Sequence, residues 1–110
     1  MSVTEDQLVG LRDIYPEVRR LSEGGKEYVY IPQLKVTIDG LVKTMEGLLC
    51  PEELGGYLTR LFLSEPVPNK ATNWSAHTVC GRTWHTWSYN NIPATLPLPQ
   101  ILLEHLRALR

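Results

Sequence analysis

TNWSAHTVCGRTWHTWSYNN, residues 72–91, is the stretch on which the reading of this chain turns. It holds all three tryptophans, two of the three histidines and one of the two cysteines of a 110-residue sequence. Cys80 at its centre admits three readings from the residues alone. It is a buried thiol under an aromatic cover, a metal ligand, or a nucleophile held in a shaped loop.

The rest of the composition narrows the setting. A length of 110 residues fits one domain spanning residues 1–110. With 43% hydrophobic and 21% charged residues, the chain has the balance of a globular protein rather than a disordered one. Its net charge of −1 gives no basic surface for nucleic acid or an anionic membrane, so neither is expected as a partner. No apolar run reaches the roughly 18 residues of a membrane span, and MSVTEDQL has no signal-peptide core. A cytoplasmic location is therefore expected. There, two cysteines thirty positions apart stay reduced.

Outward from the tryptophan-rich stretch, the pattern on both sides is more regular. Thr4-Glu5-Asp6-Gln7 has the form of a capping box, and Leu8, Leu11 and Tyr15 follow at helical spacing until Pro16, which predicts a helix over about 5–15. VRRLS and KEYVYI flank Glu23-Gly24-Gly25 as the arms of a β-hairpin. A third extended segment is expected within 41–50 and a fourth over 58–65, with a turn at Glu52 to Gly56. In the fourth, Phe62 interrupts the polar face, so that strand is expected to be covered on both sides. Residues 66–97, rich in proline and asparagine, read as one long irregular excursion of the kind that usually carries function. Order returns in LPLPQILLEHLRALR, where Pro99 suits a first helical turn and Leu102, Leu106 and Leu109 form a stripe. The expectation is an α+β fold: a four-stranded antiparallel meander with both helices on one face and a long loop before the second.

Several constellations compete for Cys80. A polar loop favours the reactive thiolate, Gly81 allows close approach of a ligand backbone, and Arg82 supplies positive charge. Against this, Val79-Cys80 ends a short buried segment under Trp84 equally well, because free cysteine is among the most buried residue types. A Cys-His dyad with His77 or His85 lacks an identifiable third partner. A zinc site from His77, Cys80, His85 and Cys50 has only one pair at ligand spacing. Trp74, Trp84 and Trp87 are either a docking surface or the private core of their own segment. Cys50, in Leu48-Leu49-Cys50-Pro51, reads as structural. No metal and no cofactor are expected.

Cys80, a gap and then IPATLPLPQILLEHLRAL resemble the ubiquitin-conjugating (UBC) family. In that family a proline-alanine stretch about a dozen residues after the active cysteine opens the next helix, the place held here by Pro93 to Leu98. LLCPEELGGYLTRLFL is similar to the family's crossing between strands, with Cys50-Pro51 and Tyr57-Leu58 at its two dipeptide positions. Gly81 to Ser88 has the flavour of compact, divergent bacterial members. The resemblance implies a UBC-like fold over most of the chain and a transthiolation enzyme. Cys80 would accept the C-terminal carboxyl of a ubiquitin-like protein from a ThiF-type activating enzyme as a thioester, then pass it to an amine of a target protein. Asn73, the nearest equivalent of the family's asparagine, would support the oxyanion, and His77 would tune the incoming nucleophile. The sequence has no His-Pro-Asn, and Leu58 and Ile92 stand where the family carries proline and tryptophan. The alternative implied is a catalytically silent adaptor that binds the modifier or the activating enzyme through the aromatic loop.

Overall fold

Three two-residue turns organise the chain. Gly24-Gly25, Asp39-Gly40 and Cys80-Gly81 each place two consecutive residues at positive φ (59° and 79°, 51° and 82°, 50° and 80°). Two consecutive left-handed residues are what a type I′ hairpin turn requires, and its twist matches that of the paired strands. The computed structural model describes residues 4–67, 69–89 and 91–109. In it the turns join β1 (Arg19–Glu23) to β2 (Lys26–Ile38), β2 to β3 (Leu41–Cys50), and β5 (Ser75–Val79) to β6 (Arg82–Thr86). β4 (Arg60–Leu63) lies between the second and third hairpins in sequence. All pairings are antiparallel, and the sheet order is β1-β2-β3-β4-β6-β5.

The expected four-stranded, UBC-like sheet is therefore corrected: the sheet has six strands, and residues 75–86 form its outer hairpin rather than an irregular loop. The physical reason lies in the local sequence. Thr78, Val79, Thr83, Trp84 and Thr86 are β-branched or aromatic, and in β6 the buried Trp84 and Thr86 alternate with the more exposed Thr83 and His85. His77 pairs opposite Trp84, and Leu63 of β4 pairs with His85, which brings the hairpin onto the sheet. The helices are short, 8 and 10 residues, so the molecule is mostly β.

Both helices cover one face. In α1 (Glu5–Arg12) the Thr4 side chain accepts from the Gln7 amide and the Gln7 side chain closes the box. The helix ends at Arg12, shorter than expected, but Tyr15 still donates its amide to Leu11. α2 (Leu98–Arg107) carries Pro99 in its first turn, where the missing N–H costs nothing. Leu8 and Leu11 of α1 and Leu98, Ile101 and Leu102 of α2 bury against Val29, Ile31, Leu34, Val36, Leu49, Leu61 and Leu63 of the sheet. Each such aliphatic side chain contributes roughly 1.5–3 kcal/mol by leaving water. Pro32 sits in the register shift of β2 between Ile31 and Leu34, a place where the ladder needs no proline N–H.

A pair of polar side chains, Thr59 and His105, is buried at the α2 junction. The Thr59 hydroxyl donates to the Ile92 carbonyl at 2.9 Å, so its oxygen accepts from His105 Nε2, also at 2.9 Å. Trp87 meets the His105 ring edge-on and packs against Trp74 at a tilt of 44°. Burial, with the Arg60 charge adding to it, lowers the His105 pKa to about 4. Among the described residues, no helix is long and apolar enough to cross a membrane.

Candidate functional site

Among the described residues no helix lies on the second face of the sheet, yet it carries a buried cluster. Tyr28, Leu48, Cys50, Phe62, Val79 and Trp84 form a separate cluster there, with Leu21, Tyr30, Leu54 and Cys80 packed around it. Strand alternation puts these residues on one face: Arg60 pairs opposite Cys50, Phe62 opposite Leu48, and Trp84 opposite His77. They are covered because the sheet curls until its two outer hairpins meet. The Cys80 amide donates to Glu23 Oε2 at 2.6 Å, joining turns that lie 57 positions apart in sequence. This latch between the β1–β2 and β5–β6 tips closes one side of the face.

A polar network covers the middle. Glu46 accepts both Nη groups of Arg82 at 2.9 and 3.0 Å and the Tyr30 hydroxyl. The Arg82 bonds, with the Tyr30 bond and despite partial burial, hold the Glu46 carboxyl down at about 2. The Arg82 guanidinium lies over the Trp84 ring at 4.4 Å, and Arg19 lies over Tyr30 at 5.1 Å.

Beside the latch a cavity of about 280 Å³ opens, lined by Glu23, Tyr28, Arg60, Phe62 and His77, together with Leu54, Gly55, Thr78 and Val79. Arg60 is its distinctive wall. The guanidinium stacks over Tyr57 at 4.0 Å and borders Phe62 at 5.9 Å, while Nε donates to Thr86 Oγ1 at 3.3 Å. Burial lowers its pKa, with Tyr57 offsetting part of that effect and no carboxylate doing so among the described residues. Among the described residues, none of the ion pairs includes Arg60.

The sequence-derived site residues fall around this cavity unevenly. Cys80 is partly exposed at the hairpin tip, and burial followed by the Glu23 charge raises its thiol pKa. The cation that sequence placed near it, Arg82, is committed to Glu46. His77 lines the cavity, with Nε2 bonded to Ser75 Oγ at 2.9 Å and its ring edge on Phe62. Asn73 precedes β5, so the whole strand separates it from Cys80, about 16 Å at the usual rise per residue. The structure thus brings Cys80, Glu23 and the cavity together and leaves Asn73 at the far end. No trio of metal-ligating side chains occurs among the described residues. Cys50 lies in the buried cluster with its thiol pushed up to about 11, mainly by burial.

Two of the three tryptophans belong to the core, and Trp74 is half-buried against it. Trp84 and Trp87 are 1% and 2% exposed, so they offer no docking surface, and Trp84 Nε1 donates to the Val79 carbonyl at 3.2 Å beside Cys80. Sequence reasoning missed Glu23 and Arg60. Neither has a local signal, since one matters through a contact across the curled sheet and the other through the missing carboxylate. No protein-family model, no curated protein and no solved structure matches the chain.

Proposed function

We propose that this chain is a peptide-binding domain, which takes an extended polypeptide segment into the cavity beside the Glu23–Cys80 latch. The observation that carries this reading is Arg60, a half-buried cation with aromatic stacking and no acidic partner among the described residues, on the wall of a cavity of about 280 Å³. Unpaired charge held partly out of water weakens a fold unless a ligand completes it, so such groups mark binding sites more often than structural ones. A cavity of that size, walled by Tyr28, Phe62 and a few polar groups, suits a short segment of chain. Cys80 fits this reading as a turn residue. Its φ of 50° matches that of Asp39, its counterpart in the β2–β3 turn. A cytoplasmic setting agrees with two unpaired thiols, Cys50 and Cys80.

A titration of the ¹⁵N-labelled domain with a pool of random heptapeptides tests the proposal. Saturable shifts confined to amides around Tyr28, Gly55, Phe62 and Thr78 support it. Absence of shifts, or shifts only on the helical face, refutes it.

The second reading is a thioester carrier, favoured by one observation: Cys80 is partly exposed, directly follows Val79 of the cavity lining, and bonds through its amide to Glu23 of the same lining. In that reading the Cys80 thiolate attacks the thioester between a ThiF-type activating enzyme and the C-terminus of a ubiquitin-like protein. A new C–S bond forms, the activating enzyme's cysteine leaves as thiolate, and a target amine later displaces Cys80. Incubation with such an enzyme, ATP and modifier would give a thiol-sensitive adduct that Cys80→Ala abolishes. The raised thiol pKa and the carboxylate beside Cys80 weigh against it, because they disfavour the nucleophilic form.

A further inference from the structure

Resting on the peptide-binding reading, we infer that Arg60 is the anchor for a carboxylate of the bound segment, most simply a free C-terminus. The geometry of the guanidinium selects this chemistry. Its face is occupied by Tyr57 at 4.0 Å and its Nε by Thr86 Oγ1 at 3.3 Å, which fixes its plane. Among the described residues neither Nη group has a hydrogen-bond partner, so the pair is free for two parallel N–H···O bonds. That fork matches a planar carboxylate, and stacking holds it ready without further ordering of a flexible side chain.

The other cations on this face are not comparable sites. Arg82 already holds Glu46 in a bidentate pair, Lys26 lies near Glu52 and Glu53, and Arg19 lies over Tyr30 away from the cavity lining. Arg60 alone faces the cavity unpaired among the described residues.

The remaining walls restrict the ligand further. Glu23, fixed by the Cys80 amide, contributes a second charge of opposite sign to the cavity lining. A ligand with a carboxylate at one end and amide N–H donors behind it complements both charges, whereas a phosphate would meet the Glu23 carboxylate with extra negative charge. Gly55, at φ +58°, presents backbone without a side chain. A volume of about 280 Å³ equals roughly nine waters at their share of liquid volume, enough for the last two small residues of a chain.

The test uses four probes on the labelled protein: N-acetyl-Gly-Gly, its C-terminal amide, N-acetyl-Asp N-methylamide and acetate. N-acetyl-Gly-Gly is expected to bind with a Kd of about 1–10 mM, as suits about twelve heavy atoms, and to shift the Arg60 side-chain Nε resonance. Its amide is expected to bind at least tenfold more weakly. Arg60→Gln removes the binding, and Arg60→Lys restores part of it, with circular dichroism confirming the fold of each. N-acetyl-Asp N-methylamide binding as well as N-acetyl-Gly-Gly would keep the carboxylate and assign it to a side chain. Equal binding of the free and amidated dipeptides overturns the inference, and this comparison needs no variant to fold. So does undiminished binding to Arg60→Gln, and acetate as tight as the dipeptide reduces the site to an unspecific anion contact and overturns it too. Heptapeptide binding in the cavity without discrimination between acid and amide would sink the carboxylate while sparing the broader reading. Silence of both peptide sets sinks both.

Discussion

Acidification should loosen the attachment of α2 before it affects anything else. His105, 1% exposed, donates through Nε2 to Thr59 and is enclosed by Trp87 and Tyr89. Its pKa falls from the ordinary 6.5 to about 4, chiefly because burial penalises the imidazolium and secondarily because Arg60 repels it. The sign follows from proton counting. Below pH 6.5 the unfolded chain binds a proton that the folded chain refuses, so stability is complete above 6.5 and declines as pH falls toward 4. The difference between 6.5 and about 4 amounts to about 3 kcal/mol, a large share of the stability of a domain this size. Glu46, held at about 2 from 4.5, also loses stabilisation on protonation, but only as pH falls below 4.5. The two windows therefore separate. Urea unfolding at pH 7.5, 6.5, 5.5 and 4.5 measures the effect, with His105→Gln as the non-titrating reference. Wild type is expected to lose most of that amount between 6.5 and 4.5 while the variant stays nearly flat. Equal slopes in the two proteins would refute the reasoning.

Other outcomes follow from the same geometry. Cys80→Asn should stabilise the domain by about 0.5–1 kcal/mol in thermal or urea unfolding, because asparagine adopts positive φ more readily in a type I′ turn. Alkylation with iodoacetamide at pH 8 should modify Cys80 well before Cys50, whose thiol lies at about 11 in the buried cluster. Glu23→Gln should lower the pH at which Cys80 becomes reactive, since it removes a neighbouring negative charge. Trp84→Phe should cost about 1 kcal/mol more than Trp87→Phe beyond their packing losses. It removes the indole bond to the Val79 carbonyl, whereas Trp87 Nε1 is buried with no hydrogen-bond partner among the described residues and loses nothing polar. Denaturation midpoints of the two variants check this.

Elements announced by local chemistry were legible in the sequence. The Thr4 box, Gly24-Gly25 between two alternating runs, and Pro99 ahead of a leucine stripe each name their structure through a short-range physical cause. The β5–β6 hairpin was not, although its strand residues are suitable, because cysteine is an unusual occupant of the first left-handed turn position. Reading Cys80 as chemistry concealed Cys80-Gly81 as a turn, and with it two strands. The Pro93 to Leu103 stretch that carried the resemblance does lead into α2, but proline before an amphipathic helix is common to many folds. The site was least legible of all. Glu23 reaches Cys80 only when the sheet curls, and the isolation of Arg60 is a property of every residue that does not approach it.

The most direct measurement of the central claim is the heptapeptide titration performed side by side on wild type and Cys80→Ser. If the cavity is a binding site and Cys80 its turn residue, both proteins show the same saturable shifts around Tyr28, Gly55, Phe62 and Thr78. No binding by either, or binding that disappears with the thiol, would contradict it.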